Sequence, residues 1–212
     1  MMRIGICGHS GSGKTTIAKW LSEKIDIPFI ASSASLMFTE EDRVLLKSKY
    51  GYEPLGHSNV INMGHANPEF GKEFQLLLLR RRQQLYEKYT LPTTLEDSFI
   101  VDRTPIDNLV YGMLEAGNNF TQAESKQFIE SCLKAFYENF THLIFIPYCG
   151  QEIEDNNSRV PNKYFQQMVD SLFKYYLNHW VYSSAEVVPI YMVDTWDLRD
   201  RKEGITDFLF KR

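Results

Sequence analysis

Apolar positions along this chain switch repeatedly between the period of a strand and that of a helix. Residues 3–7 (Arg3-Ile4-Gly5-Ile6-Cys7) form a short apolar run, and residues 16–25 place Ile17, Trp20, Leu21 and Ile25 on one helical face. Residues 27–30 read as a second strand and 36–50 as a helix. The stretch 51–68 is rich in Gly, Asn, His and Pro and predicts a long loop. A long helix is predicted over 69–89, with Phe70, Phe74, Leu77, Leu78 and Leu85 on its apolar side. Residues 98–102 predict a buried strand ending in a carboxylate, after which Pro105 opens a helix running to 115. Thr121-Gln122-Ala123-Glu124 has the form of a capping box and starts a helix reaching 139. Residues 142–146 predict a strand, 148–162 a polar irregular segment and 164–180 a helix. A last strand is predicted at 187–193, where Pro189 favours the sheet edge, and a closing helix at 206–210.

Strands alternating with helices predict an α/β fold, a five-stranded parallel sheet wrapped on both faces in three layers. The whole chain, 1–212, is expected to be a single domain, with a helical insertion at about 35–95 and a polar lid at about 148–163. Ligands of such sheets sit beyond the carboxyl ends of the strands. The segment 8–15, Asp102 and Tyr148 are therefore expected to face one cleft.

The segment at the first of these ends carries the most specific signal. Gly8-His9-Ser10-Gly11-Ser12-Gly13-Lys14-Thr15 matches the phosphate-binding pattern G-x-x-x-x-G-K-[ST] without a mismatch, and it lies between a predicted strand and a predicted helix as the motif requires. Its glycines let successive N–H groups point at an anion, and the helix that follows adds its positive end. Gly8, Ser10, Gly11, Ser12, Gly13, Lys14, Thr15 and Thr16 are the candidate nucleotide contacts. Lys14 would reach the outer phosphates and Thr15 would bind Mg2+.

Composition narrows the partners. Of the 212 residues 43% are apolar, enough for a real core, and the formal net charge of -4 argues against a dedicated non-specific DNA binder. Three scattered cysteines, Cys7, Cys132 and Cys149, lack metal-ligand spacing and predict a reduced, cytoplasmic protein. No apolar run approaches a membrane span, and the chain passes directly into its first strand, which predicts no signal peptide.

Other polar residues extend the candidate site. Asp102, ending an apolar strand, is placed to hold Mg2+ or to take a proton from an acceptor hydroxyl; a structural ion pair with Arg103 is the plainer alternative. Arg103 can clamp a phosphate through paired hydrogen bonds. Arg81 lies seven residues after Phe74 and four before Leu85, which puts it on or beside the apolar stripe, whereas Arg80 and Arg82 are expected to face solvent. Arg81 and Arg82 are the members of this run taken as candidates for an acceptor phosphate. The segment 155–163, with Arg159 and Lys163, suits a lid closing over a triphosphate. His57 and His65 are candidate acceptor contacts from the long loop.

The phosphate loop, the Asp102-Arg103 pair and the basic segment after the next strand together resemble the P-loop nucleoside and nucleotide kinases. The stretch Asp102-Arg103-Thr104-Pro105-Ile106-Asp107-Asn108-Leu109-Val110-Tyr111 is most similar to the D-R-x-x-x-S-x-x-x-Y pattern of the thymidylate-kinase-like branch, with Tyr111 in register. It departs at Asp107, where that branch has Ser, and at Gly112, where it has Gln. The wording Asp-Arg-Thr-Pro-Ile-Asp also resembles small bacteriophage-encoded kinases and ribosylnicotinamide kinases. The resemblance implies a P-loop NTPase fold with ATP and Mg2+ as cofactors, and Lys14, Asp102, Arg103 and Arg159 as catalytic residues. It implies Arg81, Arg82, Arg103 and Tyr111 as acceptor contacts, Thr15 and Asp102 as metal ligands, and a homodimer. Three activities stay open. The first is phosphoryl transfer to a (deoxy)nucleoside monophosphate. The second is transfer to a hydroxyl of a nucleoside, of ribosylnicotinamide or of a hydroxymethylated base in DNA, the last making DNA a partner. The third is a nucleotide-binding regulatory ATPase.

Overall fold

The computed structural model describes residues 1–51, 67–90, 97–150, 162–181 and 188–211. In chain order the elements are β1 (Arg3–Gly8), α1 (Lys14–Ile25), β2 (Phe29–Ile30), α2 (Ala34–Met37), α3 (Glu40–Tyr50), α4 (Pro68–Thr90), β3 (Phe99–Val101), α5 (Pro105–Ala116), α6 (Gln122–Asn139), β4 (His142–Ile146), α7 (Lys163–Tyr176), β5 (Ile190–Met192) and α8 (Leu198–Phe210). The described strands form one sheet in the order β2-β3-β1-β4-β5, with every neighbouring pair parallel.

Strand alternation divides the core between the two faces of the sheet. Ile4, Ile6, Ile100, Ile144 and Ile146 point to one face and are covered by Ile17, Ala18 and Leu21 of α1 and Ile205 and Leu209 of α8. Cys7, Phe99, Val101, Leu143 and Phe145 point to the other, under α4, α5, α6 and α7. A smaller cluster of Phe38, Leu46, Phe70, Phe74 and Leu78 joins α3 to α4. This is the expected three-layer α/β/α arrangement with a five-stranded parallel sheet.

Several boundaries differ from the sequence reading for local reasons. The helix predicted over 36–50 is two helices, because Phe38 is extended and Thr39 caps α3 by a reciprocal capping box with Asp42. The closing helix starts at Leu198 instead of 206, with the Asp197 carboxylate accepting from the backbone N–H groups of Arg199 and Asp200. The helix predicted through 180 loosens to a π-type turn over Leu177–Val181. Pro189 does lie beside an edge strand, where its carbonyl accepts from Leu143 N–H. Most of the predicted 51–68 loop and of the 148–163 lid lies outside the described residues. Among the described residues no helix is long and apolar enough to cross a membrane.

Helices α4, α5 and α6 approach closely around Gly112. A Cβ added there would lie 2.5 Å from two ring carbons of Phe128, a buried residue stacked on Phe120. Gly112→Ala should therefore overpack this junction at a cost of about 1–3 kcal/mol, of which helix propensity returns at most about 1 kcal/mol. Chemical or thermal unfolding reads this as a lowered midpoint; an unchanged midpoint would mean that Phe128 swings freely off α5.

Candidate active site

The phosphate loop leaves β1 through Gly8 and enters α1 through Gly13. Gly8 has φ +140, and a Cβ on it would lie 2.3 Å from the Ile146 carbonyl oxygen; Gly13 is left-handed at φ +88. Both positions need glycine, which is how the sequence forces the chain to wrap at the carboxyl end of β1. Lys14 is buried inside this wrap, its Nζ donating to the His9 carbonyl and, at 3.2 Å, to Ser12 Oγ. Burial, with Arg103 adding to it, lowers the Lys14 pKa to about 7.

Parallel strands bring residues 87 positions apart together at this end of the sheet. The Thr15 hydroxyl donates to Asp102 Oδ2 at 2.5 Å, and Ser32 N–H, just beyond β2, approaches Asp102 Oδ1 at 3.4 Å. Arg103 has φ +155, and two hydroxyls hold its carbonyl in place: Ser32 Oγ at 2.9 Å and Tyr86 OH at 3.2 Å. Its guanidinium donates to Asp107 Oδ1 at 3.3 Å and lies over the Tyr111 ring at 5.5 Å. Asp107 in turn closes the capping box of α5 with Thr104. The ion pair of Arg103 is thus with Asp107, which leaves the Asp102 carboxylate facing Thr15.

The structure inverts the reading of the arginine run. Arg81, expected at the cleft, turns to α3, where Nε and Nη2 each donate to Asp42 at 2.8 Å. Arg82, expected in solvent, is buried. It donates to the Ser32 carbonyl from Nε (3.2 Å) and Nη2 (3.0 Å) and to Asn108 Oδ1 from Nη1 (2.5 Å). The stripe of α4 that faces the core includes Phe74, Leu78, Arg82 and Tyr86, spaced by four; spacing from Phe74 and Leu85 placed Arg81 there, one residue out of phase. Tyr111, implied as an acceptor contact, is 3% exposed and packed between Arg103 and Phe173.

From Arg82 a polar chain continues along the seam of α4 and α5. Asn108 Nδ2 donates to Gln75 Oε1 at 3.2 Å, and Gln75 Nε2 donates to Glu115 Oε2 at 2.8 Å. Asn108 meets both Arg82 and Gln75 whereas Glu115 meets Gln75, so the two helices run antiparallel here. Burial pushes the Glu115 carboxyl up to about 7, against the opposing hydrogen bond from Gln75. Ser32, Gln75, Asn108 and Glu115 were not singled out from the sequence. The available signal was the heptad spacing of Gln75 with Arg82 and of Asn108 with Glu115, which puts polar groups on two otherwise apolar helix faces. Arg159, His57 and His65 lie outside the described residues. Among the described residues no group of three or more His, Cys, Asp or Glu is arranged to hold a metal.

A parallel α/β sheet with a phosphate loop at its first strand and an Asp-Arg pair at its third defines a P-loop kinase fold. The deoxynucleoside kinase family model matches residues 4–209, and the chain belongs to that family. It is accordingly an enzyme of the nucleoside kinase class. Among solved structures it is similar to deoxyadenosine kinase from M. mycoides with bound dATP, at a TM-score of 0.60 and 18% identity, covering 99% of each chain. It is similar to the same kinase with bound dCTP at a TM-score of 0.60 and 16% identity, covering 98% of each. It is also similar to NadR protein in complex with NR at a TM-score of 0.59 and 14% identity, covering 98% of this chain and 50% of that one. No curated protein sequence matches the chain.

The buried Glu115 carboxyl makes stability depend on pH. The native carboxyl keeps its proton up to about pH 7, whereas an ordinary glutamate loses it near 4.5. Between these values the native state binds more protons than the unfolded one, so stability falls as pH rises through about 7. Glu115→Gln removes that dependence. Thermal melts from pH 5 to about pH 8 should show wild type losing ground to the variant; parallel profiles would mean that Glu115 titrates as an ordinary carboxylate.

Proposed function

We propose that this enzyme transfers the γ-phosphoryl group of ATP to a hydroxyl of a deoxynucleoside. The observation that carries the reading is the commitment of the arginines. A monophosphate acceptor needs a cation free to hold its phosphate. Arg81 is engaged by Asp42, Arg82 by the Ser32 carbonyl and Asn108, and Arg103 by Asp107 and Tyr111. Membership of the deoxynucleoside kinase family supports the same choice over the monophosphate alternative.

In this reading the phosphate loop holds the donor, and Lys14 offsets charge on the transferring group. The Thr15 hydroxyl and the Asp102 carboxylate, converging at 2.5 Å, fit a Mg2+ ion, which when bound neutralises charge on the phosphate oxygens. Asp102 takes the proton of the acceptor hydroxyl as that oxygen bonds to the γ-phosphorus and the bond to the β–γ bridging oxygen breaks, releasing ADP. The polar chain from Arg82 through Asn108 and Gln75 runs along the buried α4–α5 seam and holds these two helices in register behind Asp102. Arg159 would act from the lid.

Labelled ATP with Mg2+ is tested against free deoxynucleosides, their monophosphates, ribosylnicotinamide, and plain and hydroxymethyluracil-containing DNA. The expected result is label on a free deoxynucleoside. Asp102→Asn should reduce kcat by about 10²–10⁴-fold with the variant still folded. Label on a monophosphate, or ATP consumption with no labelled acceptor, would reject the hydroxyl reading in favour of the nucleotide kinase or the regulatory ATPase.

A further inference from the structure

The residue behind the phosphate loop comes from the other end of the chain. Arg201 of α8 is 3% exposed, and its Nη1 donates to the Ser12 carbonyl at 2.9 Å. A Cβ placed on Gly13 would lie 3.5 Å from the same nitrogen, so the guanidinium is against the loop itself. Nε donates to the Thr195 carbonyl at 2.8 Å, and the half-exposed Trp196 ring covers the guanidinium at 4.4 Å. Cys149, just past β4, also interacts with it. One side chain thus connects the loops that follow β1, β4 and β5, all at the ligand end of the sheet.

Two features set Arg201 apart from a simple strut. In a trans peptide the carbonyl and the following N–H point in opposite directions. Holding the Ser12 carbonyl on the outer side of the loop therefore turns the Gly13 N–H toward its interior, where an anion is bound. The second feature is charge. Among the described residues Arg201 pairs with no carboxylate, and burial lowers its pKa below that of an ordinary guanidinium. A buried charge of this kind is costly unless something neutralises it, and the loop it backs is built for phosphates.

We propose that Arg201 is a positioning residue of the donor phosphate site, orienting the Ser12–Gly13 peptide and contributing a charge that the bound phosphates neutralise. The inference rests on reading the loop as the ATP site. Among the described residues Arg201 touches the loop from behind and makes no contact with Asp102, Arg103 or the α4–α5 seam, so its effect falls on donor binding.

The test is calorimetric titration of the purified full chain with Mg2+-ATP in the absence of acceptor, combined with steady-state kinetics. Arg201→Gln should raise the ATP Kd by about tenfold or more, with the acceptor KM unchanged and kcat at saturating ATP within about threefold. Arg201→Lys keeps the charge but loses the planar fork and should fall between the two. A folded Arg201→Gln that binds ATP as wild type does, whatever its Tm, would overturn the proposal. If Arg201→Gln fails to fold, Arg201→Lys decides: wild-type ATP affinity overturns the proposal and a weakened Kd with unaltered acceptor KM supports it. Wild-type protein that binds no Mg2+-ATP would reject the ATP-site reading itself and this inference with it.

Discussion

The candidate site depends on one buried guanidinium. Arg82 sits in the seam between the sheet and α5, and its N–H groups donate to the carbonyl after β2, to the carbonyl of Thr104 and to the side chain of Asn108. The acceptors belong to two segments, the loop after β2 and the start of α5, so a single planar fork fixes both relative to α4. Ser32, whose carbonyl it binds, uses its hydroxyl to hold the Arg103 carbonyl and its N–H to approach Asp102. Removing the fork would leave the buried Ser32 carbonyl without its donor and free the segment that helps aim Asp102 and Arg103.

Around this anchor the protein concentrates positive charge while carrying a net charge of -4. Lys14, Arg82, Arg103 and Arg201 are all largely buried near the carboxyl ends of the strands, with Asp102 and Asp107 beside the first three. Burial in a low-dielectric setting strengthens the field of each group and also disfavours its charged form, which is why the Lys14 ammonium is held with a depressed pKa. Such a site is poised for a highly charged anion, and the acidic remainder of the surface gives polyanions such as DNA little general attraction. The positive potential therefore comes from the local arrangement of these buried groups and not from the bulk charge of the molecule.

The seam between α4 and α5 is organised differently. Hydrogen bonds along the α4–α5 seam have one polarity: Arg82 donates to Asn108, Asn108 to Gln75 and Gln75 to Glu115. A guanidinium at one end can only donate and a carboxyl at the other can accept, so both amides are held in a single orientation. Glycine at 112 lets Phe128 close against this seam, so the aromatic wall comes from α6 instead of α5.

By itself the sequence determined the phosphate loop, the order of strands and helices, the buried strand leading to Asp102, the proline start of α5 and the capping box that starts α6. These are local signals, written in contiguous residues with fixed spacing, and backbone sterics and hydrogen bonding convert them directly into structure. Tertiary structure decided which arginine of the 80–82 run is buried, because one residue of helical phase separates a core position from an exposed one and only packing against α5 and Ser32 selects between them. It also decided that Asp102 faces Thr15, that Asp107 takes Arg103, and that Arg201 reaches the loop 189 positions before it. Contacts of that kind join residues far apart in the chain, and no periodicity encodes them. They exist because a parallel sheet gathers the carboxyl ends of its strands, and the residues that follow them, at one edge.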